Sequence, residues 1–119
     1  MIDWESDPEL SALRREFAAS FKRRREALAS IVARLGPHGE SPIRLGEAPA
    51  SELRIVAHNL AGAAPTYGFE SLGRVANEID DRLSREGSSL PASELLQDAL
   101  RLDRELISGA EFPVSGAKS

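Results

Sequence analysis

The chain has 119 residues, enough for one domain and too few for two of ordinary size. Apolar residues make up 41%, charged residues 29% and aromatics 5%, so the core must come from Leu, Ile, Val and Ala, which favours packed helices. Asp and Glu number 19 against 15 Lys and Arg, a net charge of −4 that argues against a general nucleic-acid binder; the lack of cysteine excludes disulfides and thiolate metal sites.

No apolar run approaches the roughly 20 residues that span a bilayer, so no membrane segment is expected. The N-terminus, "MIDWESDPEL", is acidic and has no signal-peptide apolar region, which predicts a cytoplasmic location. The first helix opens at "SDPE", where Ser6 and Glu9 have capping-box spacing and Pro8 suits a first turn. Leu10, Leu13, Phe17, Phe21, Leu28, Ile31 and Leu35 then recur at helical spacing until Gly36-Pro37 stops the helix. Within it, "KRRRE" (residues 22 to 26) spreads around the cylinder and reads as a solvated face, with Arg24 snorkelling from the apolar side. The Gly- and Pro-rich stretch "GPHGESPIRLGEAPA" reads as a loop, and its His38 as a solvated loop residue.

The second helix begins near Ser51 and must end or kink near Ala64, because Pro65 lacks an N–H and clashes with the Ala61 carbonyl. Gly68 permits a tight turn. The third helix is expected from about Phe69 to Glu86, with an apolar stripe of Phe69, Leu72, Val75, Ala76, Ile79 and Leu83, and Gly87 as its stop. Pro91 fits the first turn of a fourth helix, whose face is Leu95, Ala99, Leu102 and Leu106, widened by Leu96, Leu100 and Ile107. "SGAEFPVSGAKS" reads as a loose tail. No strand-like alternation or repeat is visible. The expected fold is all-α, an antiparallel up-down four-helix bundle, with residues 1–110 as a single domain and 111–119 as a flexible tail.

On a helical wheel at about 100° per residue, with His58 at zero, Val56, Leu60 and Leu53 fall near 160°, 200° and 220°. The imidazole therefore points away from the core. The face that it occupies carries Arg54, Ile55, Ala61 and Gly62, with Pro65 beyond. Lys, Glu or Gln would be ordinary there. Gly inside a helix costs roughly 1 kcal/mol relative to Ala. A small, mostly apolar surround suggests access for a bulky partner group; the plain alternative is that Gly62 lets a neighbouring helix approach.

The stretch "AHNLAGAAPTYGFESLGRVANEID" resembles the histidine phosphotransfer (HPt) domain family. His58, Leu60, Gly62, Gly68, Leu72, Ile79 and Asp80 fit that pattern. The family's usual lysine falls at Ala61. The resemblance implies a phosphorelay intermediate that takes a phosphoryl group on His58 from one receiver-domain aspartate and passes it to another. It implies that Asp80 bonds the imidazole, and Arg54, on the same side of the wheel as Ala61, becomes the candidate for the missing positive charge. Ile55, Ala61, Gly62, Pro65 and Gly68 become the candidate docking residues. Partners would be receiver domains of response regulators and of a hybrid histidine kinase, with Mg²⁺ on the receiver and no cofactor or metal on this chain, which would act as a monomer without nucleic acid or membrane. The chain would be a carrier rather than a kinase, since "GPHGESPIRLG" does not match a phosphate-binding loop. The alternative is a degenerate bundle that binds a receiver or kinase without transferring phosphate. A general-base enzyme lacks a pocket or triad partner for His58, and a metal-binding bundle lacks Glu-x-x-His pairs.

Overall fold

The computed structural model describes residues 6–85 and 87–111. The fold is all-α: five helices pack on one core among these residues, α1 (Pro8–Ala19), α2 (Phe21–Leu35), α3 (Ala50–Ala63), α4 (Glu70–Leu83) and α5 (Ala92–Glu111).

The expected first helix is two helices. Asp7 rather than Ser6 caps its start, its Oδ1 accepting from the Glu9 and Leu10 N–H groups at 3.0 and 3.1 Å. At Ser20 the backbone flattens to φ −75°, ψ −9°, and the Ser20 N–H donates to the Phe17 carbonyl, three residues back. The Ser20 hydroxyl donates to the same carbonyl at 2.6 Å, and α2 restarts from the Ser20 carbonyl. No Gly or Pro marks this break; a serine's local hydrogen bonds make it. Arg24 folds back, its Nε donating to Ser20 Oγ at 2.9 Å and its guanidinium lying 5.4 Å from the Phe17 ring centre. Leu13 is left exposed at 45%.

What α1 gains from the break is a seat on the α3–α4 turn. Phe17 stacks on Tyr67 at 5.0 Å and meets Phe21 edge-on at 5.3 Å, with Phe69 completing the cluster. Arg14 is buried over the Phe69 ring, 4.4 Å from its centre, and its Nε donates to the Tyr67 carbonyl at 2.9 Å. Burial lowers the Arg14 pKa from its ordinary value.

Two short strands also depart from expectation: β1 (Pro42–Arg44) and β2 (Ser89–Pro91) pair antiparallel, with Ile43 opposite Leu90. Three-residue strands that include a proline carry no alternation to read. Pro91 therefore ends a strand instead of opening α5. The α2–α3 loop does the opening: the Ala92 and Ser93 N–H groups donate to the Ser41 and Gly39 carbonyls, at 2.9 Å each.

The apolar stripes fall where periodicity puts them. Leu28, Ile31 and Leu35 of α2 are buried, as are Leu53, Ala57 and Leu60 of α3 and Leu72, Val75, Ala76, Ile79 and Leu83 of α4. Leu95, Ala99, Leu102 and Leu106 of α5 join them, while Leu100 remains 41% exposed. Helix α4 ends at Leu83 rather than near Glu86, which lies outside the described residues. Helix α5 runs on to Glu111, so the first part of the expected tail is helical. Gly109 lies there against the rings of Phe21 and Phe69, and residues 112–119 lie outside the described residues.

Candidate functional site

Pro65 ends α3 at Ala63, as its missing N–H requires. The chain then makes one 3₁₀ turn, Pro65–Tyr67, and reverses at Gly68, whose φ of +87° suits glycine. The Phe69 N–H returns to the Ala64 carbonyl at 2.9 Å and closes the turn. The Pro65 ring rests on α4 at Gly73, where a Cβ would lie 2.5 Å from Pro65 Cγ. This close approach, which the sequence reading missed, sets the register of the α3–α4 hairpin.

The register brings two i, i+4 pairs face to face. Arg54 and His58 come from α3, and Asp80 and Ser84 from the end of α4. His58 Nδ1 lies 3.0 Å from Asp80 Oδ2. A carboxylate only accepts, so Nδ1 carries the proton in this pair. In the neutral ring, that tautomer leaves Nε2 with a free lone pair. The His58 side chain is 63% exposed and that of Asp80 only 14%.

The second oxygen of Asp80 has its own neighbours. Arg54 Nε lies 3.5 Å from Oδ1, and Ser84 Oγ lies 3.4 Å from it. The stronger bonds of this group run through the serine: Arg54 Nε donates to Ser84 Oγ at 3.1 Å, and the hydroxyl donates to the Asp80 backbone carbonyl at 2.7 Å. Arg54 Nε is thus committed to α4, on the Nδ1 side of the imidazole. Ser84 was not singled out by sequence reasoning; its spacing of four from Asp80 was the available signal.

Around the ring the surface is low. Ile55 is 55% exposed, Gly62 and Pro65 are exposed, and Ala61 and Gly68 are half-buried. Among the described residues, a Cβ on Gly62 would meet nothing within 4 Å beyond its own helical turn, so no described helix accounts for that glycine. His38 sits apart, exposed in the 3₁₀ turn after α2. Among the described residues, no group of three or more His, Asp or Glu side chains could hold a metal ion, and no helix is long and apolar enough to cross a membrane.

A second constellation joins α4 to α5. Asp98 is buried, with Arg82 Nη2 at 3.1 Å from its Oδ2; burial raises the Asp98 pKa, and the Arg82 charge opposes the rise. Its carboxylate is closed in by burial and by the Arg82 guanidinium. A groove between the α1–α2 segment and α5, lined by Ala18, Phe21, Lys22, Arg25, Ile107 and Ala110, includes no residue of α3 or α4. His58, whose side chain is 63% exposed, does not line that groove. No family model, curated protein or solved structure matches the chain, so the functional reading rests on the geometry of the α3–α4 hairpin.

Proposed function

We propose that this chain is a histidine phosphotransfer module: an antiparallel up-down four-helix bundle, built by α2 to α5, that carries a phosphoryl group on His58 between receiver-domain aspartates. The observation that carries the reading is an exposed imidazole whose Nδ1 is engaged by Asp80 at 3.0 Å, in a surround kept low by Gly62. Nε2 supplies the lone pair that attacks the phosphorus of an aspartyl phosphate. The P–N bond forms as the acyl phosphate P–O bond breaks, and the partner's aspartate leaves as a carboxylate. The neutral ring is the reacting form, with its proton on Nδ1 and its lone pair on Nε2. No separate base is needed. Transfer then depends on positioning and on charge stabilisation, to which the receiver contributes its acidic pocket and Mg²⁺.

Docking draws on Ile55, Gly62 and Pro65, with Ala61 and Gly68 beneath them. A modest patch suits a transient signalling contact. The module acts as a cytoplasmic monomer with receiver domains of response regulators and of a hybrid kinase. The test is incubation with phosphorylated receiver domains, with His58→Ala as control. Transfer gives an acid-labile, base-stable label on wild type only. A wild-type chain that binds receivers and acquires no label refutes carriage.

That outcome would favour a second reading, a receiver- or kinase-binding scaffold. One observation supports it: Ala61 stands where the family's usual lysine falls, and Arg54 Nε is directed to Asp80 and Ser84 instead.

A further inference from the structure

His58 and Asp80 form one rung of a four-residue arrangement across the hairpin, and Arg54 and Ser84 form the other. Asp80 has two carboxylate oxygens and can rotate about its side-chain bonds. If Oδ2 is to receive His58 Nδ1–H consistently, Oδ1 needs a partner elsewhere. Arg54 is that partner at 3.5 Å, and its long, half-exposed side chain needs a tether to stay there. Ser84 supplies the tether. Its oxygen accepts from Arg54 Nε at 3.1 Å, while its proton goes to the Asp80 carbonyl at 2.7 Å. A hydroxyl has one proton, so the shorter bond defines its direction. The serine is fixed by its own helix, the arginine by the serine, and the carboxylate by the arginine.

We propose that Arg54 and Ser84 are positioning residues that act through Asp80, holding its carboxylate so that His58 keeps its proton on Nδ1 and its nucleophilic nitrogen toward solvent. Arg54 then works on the carboxylate side of the ring, not on the incoming phosphoryl group. This rests on, and deepens, the phosphotransfer reading, but its core claim concerns a tautomer and can be measured without any partner. Side-chain pairs at this degree of exposure carry modest energies, so the effect is graded.

The experiment is ¹⁵N NMR of the imidazoles in the full chain, at alkaline pH where the rings are neutral, with His38→Gln to leave a single ring. The expected result is a dominant Nδ1–H form in the wild-type background. Arg54→Met and Ser84→Ala each lower the ratio of Nδ1–H to Nε2–H by about two- to fivefold, the range set by exposed charge pairs. Asp80→Ala lowers it furthest. Because the two residues act as one unit, Arg54→Met/Ser84→Ala falls no further than Arg54→Met alone. Arg54→Lys, which keeps the charge, recovers part of the loss. Receiver-dependent labelling is then followed in the same variants, and its maximal rate falls with the tautomer ratio while the receiver concentration for half-maximal rate holds.

An unchanged ratio in Arg54→Met and Ser84→Ala overturns the proposal. So does slower labelling in Arg54→Met with the ratio intact, which would place the guanidinium on the phosphoryl group. A ratio that shifts as expected in a chain that never takes a label supports the positioning role and removes the carrier reading, so the two failures are distinct.

Discussion

Two glycines of the α3–α4 hairpin stand in opposite circumstances. Gly73 faces inward, and a single added carbon would collide with the Pro65 ring. Gly62 faces outward on α3, and among the described residues the same carbon would meet nothing within 4 Å beyond its own helical turn. Packing explains the first and leaves the second as an unrepaid cost of roughly 1 kcal/mol in a helix interior. The hairpin thus has a closed seam that fixes its register and an open face that stays low beside His58. The docking reading of His58 predicts a use for that low face, and substitution at Gly62 tests it.

The largest expected effect tests the open face. His58→Ala abolishes labelling by phosphorylated receivers and changes thermal stability little, since an exposed side chain away from the core is worth less than about 0.5 kcal/mol. Labelling paired with thermal melts checks both halves. Next comes the closed seam. Gly73→Ala destabilises by about 1–3 kcal/mol, the usual cost of overpacking, and denaturant titration reads it. A loss near zero would mean that Pro65 yields easily and that the seam does not set the register. Gly62→Ala inverts the sign, stabilising by about 0.5–1 kcal/mol. Gly62→Leu then slows labelling more than Gly62→Ala does; equal labelling by all three would show that the low surround serves no docking partner.

The smallest effect contrasts the two aspartates. Asp98 has its pKa raised in the folded state, chiefly by burial. Its sign follows from linkage: the folded state binds the proton more tightly, so the contribution is fully present below the ordinary aspartate value. It is lost as pH rises through the raised one. Stability measured across that acidic window falls with rising pH by an amount that Asp98→Asn removes. The same variant leaves the His58 tautomer unchanged, because Arg82 and Asp98 lie on the α4–α5 seam rather than beside Asp80.

How far the sequence could be read depends on what each feature costs the chain locally. The α4 stripe from Leu72 to Leu83 was legible because burial there repeats every three or four residues. The outward aim of His58 was legible for the same reason, since Leu53 and Leu60 fix the opposite face. Pro65 and Gly68 announced their turn through backbone sterics. The break at Ser20 was not legible, because serine is tolerated inside helices and only tertiary stacking of Phe17 on Tyr67 gives the break a use. Gly73 looked like any helical glycine until Pro65 arrived from the preceding helix. The wheel puts Arg54 on the side of Ala61 but holds no register between helices, so its 3.1 Å bond to Ser84 across the hairpin was not legible. The β1–β2 ribbon depends on two segments far apart in sequence, and neither advertises a strand alone.

The junction of that ribbon with α5 has its own consequence. The first amide donors of the last helix are met by carbonyls of Gly39 and Ser41, in a loop two helices earlier. Ser93 Oγ adds a 2.9 Å bond to Glu40 of the same loop. The final helix therefore borrows its starting point from a remote part of the chain. Trimming that loop would not merely shorten a connection: it would unwind the beginning of a rod whose sequence had not been touched.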